Sequence, residues 1–98
     1  MKYIITEKAN NDMLEIGEYI AVDNKKAAEK QLNKIKDGFR RLSEMPEIGY
    51  NKPEWTNKSY KYWNIGKYLI VYEIQDNKTI IILRVLNCYR DIIGLLDY

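Results

Sequence analysis

Two apolar stripes of helical period, separated by a short polar break, constrain this chain more than any other feature. Ala9, Met13, Ile16 and Ile20 recur at steps of four, three and four; Ala28, Leu32, Ile35, Phe39 and Leu42 recur at four, three, four and three. Each set lines one side of an α-helix. Val22-Asp23-Asn24 interrupts the pattern, and Asp23 or Asn24 offers a side-chain oxygen to cap the second helix. Thr6 or Asn10 can cap the first. A joint this short admits only an antiparallel helical hairpin. The hairpin's apolar side needs a cover, and the rest of the chain must supply it.

That cover reads as β-structure. Tyr3, Ile4 and Ile5 form a short first strand. Pro46 and Gly49 end the hairpin, and residues 46 to about 58 read as a long polar loop. Tyr60-Lys61-Tyr62-Trp63 suits a strand. Tyr68, Ile70, Tyr72 and Ile74 share one face of the next strand, with Leu69 and Val71 on the other. Gln75-Asp76-Asn77-Lys78 reads as a hairpin turn. Thr79 to Asn87 is apolar on both faces, as in a central strand. Ile92, Ile93, Leu95 and Leu96 form a short closing helix or an apolar tail. The order β-α-α-β-β-β defines an α+β fold, a helical hairpin packed on a largely antiparallel sheet. The 98 residues are read as one domain, 1–98.

Composition removes several function classes. With 46% hydrophobic and 31% charged residues the chain is expected to fold. Its longest aliphatic run, Ile80 to Leu83, is far short of a membrane span. Met1 to Thr6 leads directly into a charged segment with no signal-peptide core. Cys88 is the lone cysteine and the chain has no histidine. That excludes an internal disulfide, a His-ligated zinc and any Ser-His or Cys-His nucleophile pair. A cytoplasmic protein without cofactor, metal or membrane partner is expected. Residues Glu7 to Asp23 hold five acids and one base, a net of −4; Asn24 to Glu44 hold seven bases and three acids, a net of +4. Two such helices side by side attract each other, and the Lys26, Lys30, Lys34 row reads as a solvated face.

Three segments together resemble the RelE/ParE toxins of bacterial type II toxin–antitoxin pairs: Arg41-Leu42-Ser43-Glu44-Met45-Pro46-Glu47-Ile48-Gly49 after the hairpin, Gly66-Lys67-Tyr68-Leu69-Ile70-Val71-Tyr72-Glu73-Ile74, and Ile82-Leu83-Arg84-Val85-Leu86-Asn87-Cys88-Tyr89-Arg90-Asp91. The Leu-x-x-Pro-x-x-Gly loop and the closing Arg90-Asp91 are most similar to the ParE branch. The resemblance implies a toxin that inhibits DNA gyrase by binding and is neutralised by a cognate antitoxin. The RelE branch implies instead a ribosome-dependent mRNA interferase, with ribosome and mRNA as partners; an inactive toxin-fold binding module is a third reading. The chain departs from the family pattern in three places. Asn87-Cys88 stands where a histidine is usual, Lys61 where an arginine is common, and Leu96 where a tyrosine is expected, with Tyr98 two residues on.

The candidate residues follow. A nuclease must deprotonate a 2′-hydroxyl and protonate the leaving oxygen; Arg90, Lys61 and Tyr98 would have to serve. For target binding, Lys61, Lys67, Tyr72, Asn87, Tyr89 and Arg90 are expected to converge on a basic, aromatic rim at one end of the sheet. Arg84 lies between apolar neighbours in a strand expected to be central, so a carboxylate partner is required. Glu73 on the neighbouring strand and Asp91 are the candidates.

Overall fold

The computed structural model describes residues 2–75 and 79–96. The elements are β1 (Tyr3–Ile5), α1 (Glu7–Ala21), α2 (Lys25–Glu44), a 3-10 turn (Pro46–Ile48), β2 (Tyr50–Asn51), β3 (Lys61–Ile65), β4 (Tyr68–Ile74), β5 (Ile80–Asn87) and α3 (Ile92–Leu96). The strands form one sheet in the order β1-β5-β4-β3-β2. β1 runs parallel to β5, and every other pairing is antiparallel.

The hairpin forms as its stripes and caps dictate. Thr6 caps α1, its hydroxyl oxygen accepting from the Ala9 N–H at 3.2 Å. Asn24 caps α2 through the Ala27 N–H at 3.0 Å. Ala9, Met13, Ile35, Phe39 and Leu42 are buried against Tyr68, Ile70, Tyr72, Ile80, Ile82 and Val85, so the helices cover one face of the sheet. The other face has its own core: Tyr62, Leu69, Val71 and Leu86 lie beneath Ile92 and Leu96 of α3, with Trp55 packed alongside. The apolar end of the sequence is therefore a short helix with a definite task, closing the second face.

Two departures from the expected layout matter for the site. The segment read as a loop holds β2, whose Tyr50 and Asn51 pair with Tyr62 and Lys61. β5 is central for only part of its length, because β1 ends opposite Ile82. Just beyond, Val71 faces Arg84 while Tyr72 faces Ile82, so Leu83 is an extra residue that bends the strand. Asp76 to Lys78 of the expected turn lie outside the described residues. Beside them the Gln75 N–H donates to the Thr79 carbonyl at 2.9 Å.

Candidate functional site

Once β1 has ended, β5 presents an open edge to α1, and unpaired edge groups need partners. Asp12 supplies one. Its Oδ2 accepts from the Val85 N–H at 2.9 Å and from Arg84 Nε at 2.7 Å; its Oδ1 accepts from Arg84 Nη2 at 2.9 Å. The pair is bidentate and mostly buried, the two side chains being 14% and 11% exposed. Arg84 Nη1 also reaches the Leu95 carbonyl at 3.4 Å, so one guanidinium links α1, β5 and α3. Among the described residues the carboxylate that Arg84 meets is thus Asp12, not Glu73 or Asp91. Glu73 lies opposite Ile81. Asp91 accepts from the Gly94 N–H at the start of α3. Asp12 could have been found in the sequence: it sits beside Met13, three residues after Ala9, an acid within the apolar stripe of α1.

The expected basic rim is only partly assembled. Ile65 pairs with Tyr68 across the two-residue turn Gly66-Lys67, and Gly66 adopts φ 58°, the left-handed start that primed hairpin turns require. That turn places Lys67 at the tip. The Cys88 N–H donates to the Lys67 carbonyl at 2.7 Å, latching the end of β5 to it. The Asn87 side-chain oxygen accepts from the Tyr89 N–H at 2.9 Å, and its carbonyl from the Arg90 N–H at 3.0 Å. This turn holds Tyr89, 84% exposed, and Arg90 outward. Lys67, Asn87 and Arg90 line one groove of about 410 Å³; its opposite wall is α1, through Glu15, Ile16 and Tyr19. Ile16 belongs to the apolar stripe of α1, whereas Glu15 and Tyr19 are exposed positions, where sequence gives no sign of what they face.

Lys61 does not join this rim. It opens β3 opposite Tyr72, whereas Lys67 lies past the far end of that strand, roughly 13 Å away at strand spacing. Its ammonium is 3.5 Å from Glu47 and 3.5 Å from the Asn51 side chain. It lines a separate groove with Lys52, Lys58 and Tyr60. Tyr72 does not reach the rim either. It is fully buried; its hydroxyl donates to the Pro46 carbonyl at 2.7 Å and accepts from the Gly49 N–H at 3.0 Å. A Cβ on residue 49 would stand 2.2 Å from that hydroxyl, which explains the glycine. Burial raises the Tyr72 pKa, partly opposed by the Gly49 hydrogen bond. Tyr62 is pushed up to about 12 by burial, with smaller contributions from Tyr60, Tyr50 and Glu54. Its hydroxyl is buried without a hydrogen-bond partner among the described residues. Tyr98, named for a nuclease, lies outside the described residues. Among the described residues no cluster of His, Cys, Asp or Glu could hold a metal, and no helix is long and apolar enough to cross a membrane.

A helical hairpin on one face of the sheet, a short helix on the other and a charged, aromatic strand end define a protein of the RelE/ParE toxin fold. The sequence pattern described as ParE toxin of type II toxin–antitoxin system, parDE, matches residues 3–92. The chain belongs to this family of toxins. Among solved structures it is similar to a chain of the chromosomal ParDE toxin–antitoxin system from P. aeruginosa. The TM-score is 0.74 at 20% identity, over 89% of this chain and 95% of that one. No curated protein sequence matches the chain at the significance required.

Proposed function

We propose that this toxin acts in the cytoplasm by binding DNA gyrase through the Lys67–Asn87–Arg90 end of its sheet, with Tyr89 beside it, and that a cognate antitoxin neutralises it. The observation that favours binding over RNA cleavage is the packing of the second sheet face. There Ile92 and Leu96, with Trp55 alongside, cover the sheet's apolar side chains, and the chain has no histidine to move a proton. Tyr62, the tyrosine buried within this core, is a poor proton donor and acceptor: it is sealed, and burial pushes its pKa up to about 12. Tyr72 points into the other core, and both sides of its hydroxyl are bound. General acid–base work needs a group that exchanges protons near neutral pH and reaches the substrate.

The antitoxin is an acidic, partly disordered chain that lies along the hairpin and a sheet edge. The basic α2 and the short outer strand β1, with Ile4 49% exposed, favour such a partner. Its affinity is nanomolar or tighter, about −12 kcal/mol. The deciding experiment runs gyrase supercoiling and ribosome-programmed mRNA cleavage in parallel with purified toxin. Inhibited supercoiling with intact mRNA is expected. Site-specific mRNA cleavage with normal supercoiling would overturn the assignment.

A further inference from the structure

The groove between α1 and the Lys67–Arg90 end carries both signs of charge, and its two walls belong to different layers of the fold. Asp12 at its base is fully engaged by Arg84 and the Val85 N–H. The free carboxylate is Glu15, exposed and without a hydrogen bond or ion pair among the described residues. Facing it are Lys67 and Arg90, both exposed; Lys67 lies 5.7 Å from the Tyr68 ring centre, and Arg90 has no ion pair among the described residues. Glu15 and Arg90 thus line one groove without neutralising each other. Tyr19, 78% exposed, stands on the same wall as Glu15, one helical turn further along.

We infer that this groove receives a protein segment bearing both an acidic and a basic group, rather than a phosphodiester backbone, with Glu15 and Tyr19 as its helix-side contacts. The inference rests on the gyrase reading and specifies how the toxin engages that target. A nucleic-acid strand is held by cations that release its counterions, and every carboxylate in its path opposes it. A polypeptide can place a carboxylate against Arg90 or Lys67 and a cation against Glu15. Such reciprocal pairing sets register and rejects wrong partners. An exposed tyrosine beside an arginine is the side-chain combination that dominates the energetics of protein interfaces.

The sign of a charge reversal separates the two kinds of occupant. Glu15→Lys removes the one uncompensated acid that lines the groove among the described residues. A phosphodiester would then bind more tightly, and a protein segment with a cation opposite Glu15 would bind less tightly. The experiment measures affinity of the full-length toxin for DNA-free gyrase, and for short single-stranded and duplex DNA and RNA oligonucleotides. It compares wild type, Glu15→Lys, Glu15→Gln and Tyr19→Ala. Both positions are exposed, and circular dichroism melts confirm that each variant is folded. For gyrase, Glu15→Lys and Tyr19→Ala are each expected to lose about tenfold or more in affinity, and Glu15→Gln less. Equal or tighter gyrase binding by Glu15→Lys overturns the inference and leaves the gyrase reading standing. Oligonucleotide binding that strengthens with Glu15→Lys, alongside unchanged gyrase binding, has the same consequence. Wild-type toxin that neither binds gyrase nor inhibits supercoiling overturns the gyrase reading and this inference with it.

Discussion

Arg84 and Arg90 follow each other along the same stretch of chain, yet their surroundings differ in almost every respect. Arg84 lies within β5 at the point where the strand loses its β1 neighbour. Its guanidinium is clamped on Asp12 and only 14% of its side chain is exposed. Arg90 lies beyond the strand, exposed, and among the described residues it is held through its backbone on Asn87. A charge withdrawn from water must be paired, and the pair then fixes the elements that supply it. A charge left in water contributes little to stability and stays available to a partner. The comparison ties the Arg84 region to the fold and leaves the Arg90 region as the one proposed for recognition.

The largest expected effect lies at Arg84. Arg84→Ala leaves Asp12 buried without its partner and should cost about 3–5 kcal/mol in denaturant unfolding. Replacing both members of this pair with apolar residues, Arg84→Met with Asp12→Leu, should cost less, apart from the orphaned Val85 N–H and Leu95 carbonyl. A loss below about 1 kcal/mol for Arg84→Ala would put this arginine in the same class as Arg90 and erase the distinction.

A smaller loss is expected at Tyr72, the aromatic expected at the rim and found buried. Tyr72→Phe keeps the ring but orphans the Gly49 N–H and the Pro46 carbonyl, costing about 1–3 kcal/mol. Gyrase inhibition by the folded variant should be unchanged. If inhibition falls while the melting curve holds, the hydroxyl belongs to the target site after all.

Tyr62 should show the smallest change. Its hydroxyl has no partner to lose among the described residues, so Tyr62→Phe is expected to be neutral or stabilising by up to about 1 kcal/mol. The two tyrosines also give the protein an alkaline limit. Tyr62 ionises near 12 in the folded chain and at about 10 in the unfolded one. Between those values the unfolded state holds fewer protons, so stability falls as pH rises above about 10. Tyr72 contributes in the same direction, since burial raises it too. Melts at pH 9 to 12 should show a shallower decline for Tyr62→Phe; an identical decline would show that Tyr62 is not the group concerned.

The parts of this layout that were legible in the sequence are those set by local pattern. The stripes of α1 and α2, the caps at Thr6 and Asn24, and the alternation along β4 depend on neighbours three, four or two residues away. The Arg84 partner is not legible in the sequence because the apolar pattern of β5 reads as a strand flanked on both sides throughout. A β1 of only three residues opens the edge that Asp12 fills. The rim was misread for a similar reason: Lys61 and Lys67 are close in sequence, but a strand runs between them and carries them to opposite ends. Glu15 and Tyr19 gave no signal, since an exposed helix face looks the same whether or not a strand end stands opposite. Charge and residue type indicated the chemistry of the site, and only the three-dimensional register showed which residues share it.

The central claim, that recognition resides in the Arg90 end while the fold is held elsewhere, is tested most directly by titrating Arg90→Ala toxin into a gyrase supercoiling assay. Its melting curve and antitoxin binding are checked against wild type, and Lys61→Ala is run beside it. The account predicts that Arg90→Ala melts like wild type, within about 0.5 kcal/mol, still binds its antitoxin, and needs at least about tenfold more protein for the same inhibition. Lys61→Ala should inhibit like wild type. Full inhibition by Arg90→Ala, with activity lost instead in Lys61→Ala, would contradict the account and move the target site to the opposite end of the sheet.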